Sequence, residues 1–252
     1  MTSHPTHHQE ATKVDVCEHG NDAEGRPISL DRRLFMQLVA FECRDELPAP
    51  HAKEALATAL EASGLGGALY EDINHPRGFA LLTFSEQPLD FVDKLRPALA
   101  YNCPASLAVR PEFGMLGRTY STGFEQNLAF WLLERPKKTV TNPAWPFAVW
   151  YPLRRKGGFD RMDPKEKGGI MREHGGIGRA YGEADLAHDV RLACHGLDQN
   201  DNDFVIGLIG ASLHPLSHVV QAMRQTRQTA EFMEKMGPFF VGRAVVQKPG
   251  PQ

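Results

Sequence analysis

The chain is short of cysteine, of net charge and of long apolar runs, and each shortage closes off a class of protein. Its four cysteines, Cys17, Cys43, Cys103 and Cys194, follow no spacing of a zinc or redox motif. Read as free thiols, they suit a reducing compartment. Lys and Arg number 28 against 31 Asp and Glu, a net charge of -3. The basic surplus of a nucleic-acid binder is therefore missing, although a local basic patch can still hold an anionic small molecule. No segment reaches the roughly 18 consecutive apolar residues of a membrane helix. Met1 to Gly20 is polar and lacks the apolar core of an export signal. A cytoplasmic protein with neither a membrane span nor a nucleic-acid partner is expected.

At 252 residues the chain can hold one large domain or two small ones. Residues 1–30 show no periodicity and read as a mobile tail. His4, His7, His8, Cys17 and His19 within it are spaced irregularly, a composition that need not mean metal. The apolar run Leu34–Phe41 reads as a buried strand. Residues 50–63 form a helix with Ala52, Leu56, Ala59 and Leu60 on one face, ended by Gly64. Strands follow over 67–71 and 79–84, a helix near 88–99 and a strand within 105–110. Strand, helix, strand, strand, helix, strand is the ferredoxin-like order. After a connector the pattern repeats: a strand over 147–153, a helix over 164–174, strands over 186–195 and 204–209, a helix over 215–233 and a strand over 238–246. The expected fold class is α+β, as two sequential halves with helices outside. The expected divisions are a tail (1–30), a first half with connector (31–143) and a second half carrying the site (144–252).

The stretch from Trp150 to Tyr181 holds the chemistry. Asp163, Pro164 and Glu166 make a helix start with an N-cap, a first-turn proline and a capping-box carboxylate. His174 then shares a helical face with Ile170, Met171 and Ile177. It can be a core histidine bonded to a backbone carbonyl, or a neutral metal ligand in an apolar slot beside Gly175, Gly176 and Gly178. Tyr151 can be an ordinary strand-end tyrosine or a redox-active phenol. Arg154, Arg155 and Lys156 can be a solvated surface or a clamp for carboxylates. On the strand before Gly196, Asp189, Arg191 and Ala193 share a side opposite His188. Arg191 there can stabilise an oxyanion above a metal or sit in a surface ion pair.

In order, these pieces read Tyr151-Pro152-x-x-x-Lys156, Ile170-Met171-x-x-His174-Gly175-x-x-Gly178-Arg179-x-Tyr181, Gly196-Leu197-Asp198, Met223-Arg224 and Gly237-Pro238-Phe239-Phe240-Val241-Gly242. So arranged, the sequence resembles the chlorite dismutase superfamily, most closely its coproheme decarboxylases. The resemblance is strongest from Tyr151 to Gly242. It implies a dimeric α+β-barrel subunit and a ring-shaped homo-oligomer, usually a pentamer. It also implies an iron porphyrin held by His174 as proximal ligand. Tyr151, 23 residues before that histidine, falls where decarboxylases keep a catalytic tyrosine. Arg191 falls near the distal arginine of chlorite-degrading members, in a region longer here than usual. Arg155 replaces a lysine, Leu153 a methionine and Phe159 a tryptophan. Thr229 stands where many members place a serine near a substrate propionate.

The activity so implied is peroxide-dependent decarboxylation of two propionates of coproheme, which is both substrate and cofactor, to haem b. Arg154, Arg155, Lys156 and Arg118 are candidates for the cationic cradle, and only Arg155 has positional support. Chlorite conversion to chloride and dioxygen, with Arg191 above the iron, is the rival activity. A haem carrier or sensor needing His174 alone is the non-enzymatic reading.

Overall fold

The computed structural model describes residues 14–250. Its first feature lies inside the stretch expected to be without structure. Strands β1 (Glu18–Asn21) and β2 (Pro27–Leu30) pair as a hairpin. The Asp22 carboxylate closes its turn by accepting from the backbone N–H of Glu24 and Arg26, and Gly25 takes a left-handed φ of 81°. The hairpin docks on the loop near residue 125, where Asn21 N–H donates to the Glu125 carbonyl at 3.0 Å. His4, His7 and His8 lie outside the described residues. His19 is exposed and meets Asp15 at 3.1 Å.

The first half runs β3 (Phe35–Cys43), α1 (Ala49–Ser63), β4 (Gly66–Asp72), β5 (Gly78–Ser85), a π-helical turn (Phe91–Leu95) continuing into α2 (Arg96–Asn102), and β6 (Leu107–Arg118). A connector with a second π turn (Phe130–Glu134) and α3 (Arg135–Val140) leads to the second half. That half runs β7 (Phe147–Arg155), α4 (Pro164–Glu183), β8 (His188–Ala193), β9 (Phe204–Gly210), α5 (Leu213–Met223), α6 (Arg227–Phe232), β10 (Met233–Met236) and β11 (Phe240–Lys248). Each half has the ferredoxin-like strand order, β4-β5-β3-β6 and β8-β9-β7-β11. Antiparallel pairing of β4 with β11, and a single pair Arg118 with Ala193 between β6 and β8, join the two sheets edge to edge. Because β7 also pairs with β9, the sheet closes into a barrel.

Strand period two then sorts the side chains. Met36, Leu38, Ala80, Leu82, Trp150, Val190, Leu192, Val205 and Phe240 fill the barrel interior. The alternate residues point outward. Those of the first half pack under α1 and α2, with Leu56 and Leu60 meeting Phe79 and Leu81. Those of the second half pack under α4 and α5, with Val149, Tyr151, Phe204 and Leu208 meeting Leu216 and Val219. Among the described residues, no helix is long and apolar enough to cross a membrane.

Two helices differ from expectation. α4 continues past His174 to Glu183 through Gly175, Gly176 and Gly178. Its six glycines each cost about 1 kcal/mol against alanine. The helix is sustained instead by burial of Ile170, by packing of Ile177 and Tyr181 on the second-half sheet, and by the Asp163 cap, which accepts from Lys165 N–H at 2.9 Å. The single helix expected over 215–233 breaks after Met223 because Thr226 caps α6, its hydroxyl accepting from Thr229 N–H.

Trp150 sets the packing beside the candidate site. It is fully buried in the barrel, and a Cβ on Gly207 would stand 2.5 Å from its indole carbons. Gly207→Ala should therefore force a rigid ring to move, costing about 2 kcal/mol. A fall in the urea midpoint checks this; a midpoint equal to wild type contradicts the packing argument.

Candidate functional site

The outward face of the second half-sheet forms a floor. Tyr151 pairs with Ile206, which pairs with Arg191; Val149 pairs with Leu208, which pairs with Asp189. Neighbouring strands lie about 4.8 Å apart, so Tyr151 and Arg191 stand roughly 10 Å apart across apolar side chains. Tyr151 is buried, its ring stacked on Phe239 with centroids 4.6 Å apart. Burial, reinforced by Asp189 and opposed by Arg224, pushes the phenol above its usual pKa. Tyr151 is therefore a neutral phenol at physiological pH.

His174 approaches from α4. Its Nδ1 lies 3.4 Å from the Thr226 hydroxyl oxygen. That hydroxyl donates to the Met223 carbonyl at 2.7 Å, so its oxygen is the acceptor for a proton on His174 Nδ1. The tautomer this selects leaves a lone pair on Nε2. Burial, followed by the charges of Arg155 and Arg191, lowers the imidazole pKa to about 4, against the opposing pull of Asp189 and Glu173. A neutral imidazole with one nitrogen oriented by a neighbour is suited to binding a metal. Of the glycines beside it, Gly175 and Gly176 face open space, whereas Gly178 is covered by Met223 at 3.5 Å from a would-be Cβ.

The four cationic candidates separate. Arg155 points over the floor, its guanidinium 4.4 Å from the Phe204 ring centroid and 4.9 Å from that of Phe159. Its Nε is buried without a hydrogen-bond partner among the described residues. Arg154 is committed to the β8–β9 loop, donating to the Asp201 carbonyl at 2.7 Å and to that of Asn200. Lys156 donates to the Glu231 carbonyl at 2.8 Å. Arg118 donates to Glu18 of the N-terminal hairpin at 2.8 Å. Sequence nearness thus groups three cations of which the structure turns only Arg155 toward His174. Thr229 sits beside Thr226, hydroxyls 3.3 Å apart. With Arg224, Met233, Glu234, Lys235 and Met236 it lines a cavity of about 290 Å³.

Arg191 is not alone on its side of the floor. Its Nε meets Asp189 Oδ2 at 3.1 Å and its Nη2 lies 3.8 Å from Glu125. Arg135 donates to Asp189 Oδ1 at 2.6 Å and to the Asp189 carbonyl at 2.8 Å. Burial works to raise the Asp189 carboxyl pKa, but Arg191 and Arg135 outweigh it and hold the group below the usual carboxylate value. Period two places Asp189 beside Arg191 in the sequence. Glu125, Arg135 and Thr226 carry no comparable signal, because long-range packing brings them in.

A family model described as chlorite dismutase matches residues 114–245, just over half of the chain. Among solved structures, the fold is similar to a haem-binding protein from Thermus thermophilus. Identity is 19%, with 86% of this chain and 92% of that one covered and a TM-score of 0.65. It is similar also to chlorite dismutase from Candidatus Nitrospira defluvii in complex with imidazole, at 14% identity, 86% and 93% coverage and a TM-score of 0.65. No curated protein matches the sequence.

The lowered His174 pKa has a signed consequence. An unfolded histidine titrates near 6.5 and the folded one near 4, so the unfolded chain takes the proton first. His174 should therefore cost stability as pH falls from about 6.5 to about 4, with no further loss below. A ring-proton NMR titration should place its midpoint near 4, and His174→Gln should remove its share of the pH dependence. A midpoint near 6.5 contradicts the burial described.

Proposed function

The chain belongs to the chlorite dismutase family, and from that premise we propose that it is a peroxide-dependent coproheme decarboxylase. Its substrate is iron coproporphyrin III, and it converts two propionates to vinyl groups, giving haem b. The observation that carries this reading is the buried phenol of Tyr151 on the floor under α4, the helix bearing a neutral His174. The residues fit such a porphyrin by their chemistry. His174 offers Nε2 to the metal, Phe204, Ile206 and Leu208 offer an apolar surface, and the unpartnered Arg155 Nε offers a donor to a carboxylate. The haem-binding description of the Thermus thermophilus relative supports the same cofactor.

When bound, the porphyrin iron supplies the reaction with peroxide. His174 holds the metal through Nε2 while Thr226 keeps Nδ1–H in place. Arg155 pairs propionate carboxylates and sets the porphyrin's register, with Thr229 and Arg224 as further polar contacts at its edge. Tyr151 enters as a neutral phenol; the first oxidising equivalent of the peroxide would take its hydroxyl hydrogen, and the oxygen left behind would take a hydrogen atom from the propionate β-carbon. The second oxidising equivalent of the same peroxide would take the odd electron left on that carbon, and the bond to the carboxylate would then break, its electron pair completing the vinyl group as carbon dioxide leaves. Each round consumes one propionic acid side chain and one hydrogen peroxide and releases carbon dioxide and two waters, which balances. The reading includes a cytoplasmic homo-oligomer, a pentamer by family resemblance.

Arg191 on the floor favours a second reading, conversion of chlorite to chloride and dioxygen, and a haem carrier would need His174 alone. Incubating the coproheme complex with peroxide and weighing the porphyrin separates the three. Stepwise loss of two carboxyl groups is expected, and Tyr151→Phe should abolish it while coproheme binding persists. Oxygen release from chlorite supports the second reading, and turnover of neither supports a carrier. Normal decarboxylation by Tyr151→Phe removes the role given to Tyr151.

A further inference from the structure

Arg191, the cation that would face a small co-substrate, is neutralised where it stands. The Asp189 carboxylate divides its two oxygens between two guanidiniums, Oδ1 to Arg135 at 2.6 Å and Oδ2 to Arg191 at 3.1 Å. Arg135 grips the same residue a second time through its backbone carbonyl at 2.8 Å, and its guanidinium lies 4.4 Å from the Trp131 ring centroid. The second anion, Glu125, is 3.8 Å from Arg191. It is itself fixed by donors from Ser121, Thr122 and Phe124. Two cations and two anions cancel. Of the other titratable groups facing this corner, Tyr120 is pushed further into its neutral form by burial and His174 is uncharged. Arg155 keeps its charge over Phe204 and Phe159, and in the reading above that charge is met by a propionate carboxylate. Arg191 and Asp189 keep 34% and 37% of their side-chain surface open, so the pair borders the cleft and is not sealed in the core.

We propose that Asp189, clamped by Arg135, is a positioning residue that holds Arg191 as a neutral ion pair, so that the open side of the bound porphyrin selects an uncharged co-substrate, hydrogen peroxide, over an oxyanion such as chlorite. This rests on the porphyrin reading above and deepens it: the corner that carries Arg191 lacks the net positive charge an anion requires. An anion entering beside Arg191 must displace Asp189 or share the guanidinium with it, whereas peroxide needs only a donor and an acceptor. The clamp also fixes the sign of each perturbation. Removing the Asp189 charge leaves the corner net positive, and removing the Arg135 charge leaves it net negative.

The test uses the full chain loaded with ferric coproheme at pH 7 and low salt, titrated optically with azide as the anionic probe and imidazole as the neutral one. Asp189→Asn should tighten azide binding about tenfold, as expected for one charge removed at close range in a partly open site, and leave imidazole within about twofold. Arg135→Met should weaken azide by a similar factor, the opposite direction. A merely structural role for Asp189 would move azide and imidazole together, and both variants the same way; either result overturns the proposal. If Asp189→Asn does not fold, Arg135→Met decides alone, since unchanged azide affinity there overturns the clamp. Coproheme uptake by the wild type separates the two levels. Without uptake the porphyrin reading fails and takes the clamp with it, while uptake with unaltered azide discrimination sinks the clamp only.

Discussion

Closure of the sheet leaves the odd-numbered side chains of β7 and β8, and the even-numbered ones of β9, a single destination: the space beneath α4 and α5. The even positions of β7 and β8 and the odd ones of β9 fill the barrel, where Trp150, Val190 and Val205 are buried. The outward set is left to be covered by helices or by a ligand. In the first half that cover is apolar helix throughout. In the second half the outward set includes a tyrosine, an aspartate and an arginine, and the covering helix contributes a histidine. Polar groups this close to an apolar floor are expensive unless paired or neutral, and each has a visible solution. Tyr151 stays a phenol, His174 stays an imidazole, and Asp189 and Arg191 pair.

Charge and burial act together on His174. Desolvation already favours the neutral ring, and Arg155 and Arg191 push the same way. Arg155, which suits a carboxylate, therefore also helps keep the imidazole lone pair available. In the proposed function this is one arrangement serving two needs: a cation for a propionate and an uncharged nitrogen for iron. Asp189 sits at the junction, since its charge is felt at Tyr151 and His174 and its oxygens hold Arg191 and Arg135.

Much of the fold was legible because strands and helices announce themselves through period. The run Leu34–Phe41 is apolar because one face of β3 fills the barrel and the other, with Phe35 and Val39 half-buried, packs toward the first-half helices, and the order of elements already implied two ferredoxin-like halves. The hairpin at Glu18–Leu30 was not legible. Its strands are only four residues long, the first without an apolar side chain, and it is held by distant partners such as Arg118 and Glu125. The reach of α4 through six glycines was hidden for a related reason: tertiary docking overrides propensity. At the site, period two could place Tyr151 and Arg191 on strand faces, and helical spacing could place His174 on an apolar one. No pattern in Arg154-Arg155-Lys156 could tell which cation turns inward, because loop carbonyls of Asn200, Asp201 and Glu231 decide it. The pairing of Asp189 with Arg135 spans 54 residues and is likewise a product of the fold.

The central claim is that His174 Nε2 binds the metal of an iron porphyrin. Resonance Raman spectroscopy of the ferrous loaded protein tests it most directly. An iron–imidazole stretch should appear, shift when histidine is labelled with nitrogen-15, vanish in His174→Gly and return when imidazole is added to that variant. An unchanged stretch in His174→Gly would contradict the account.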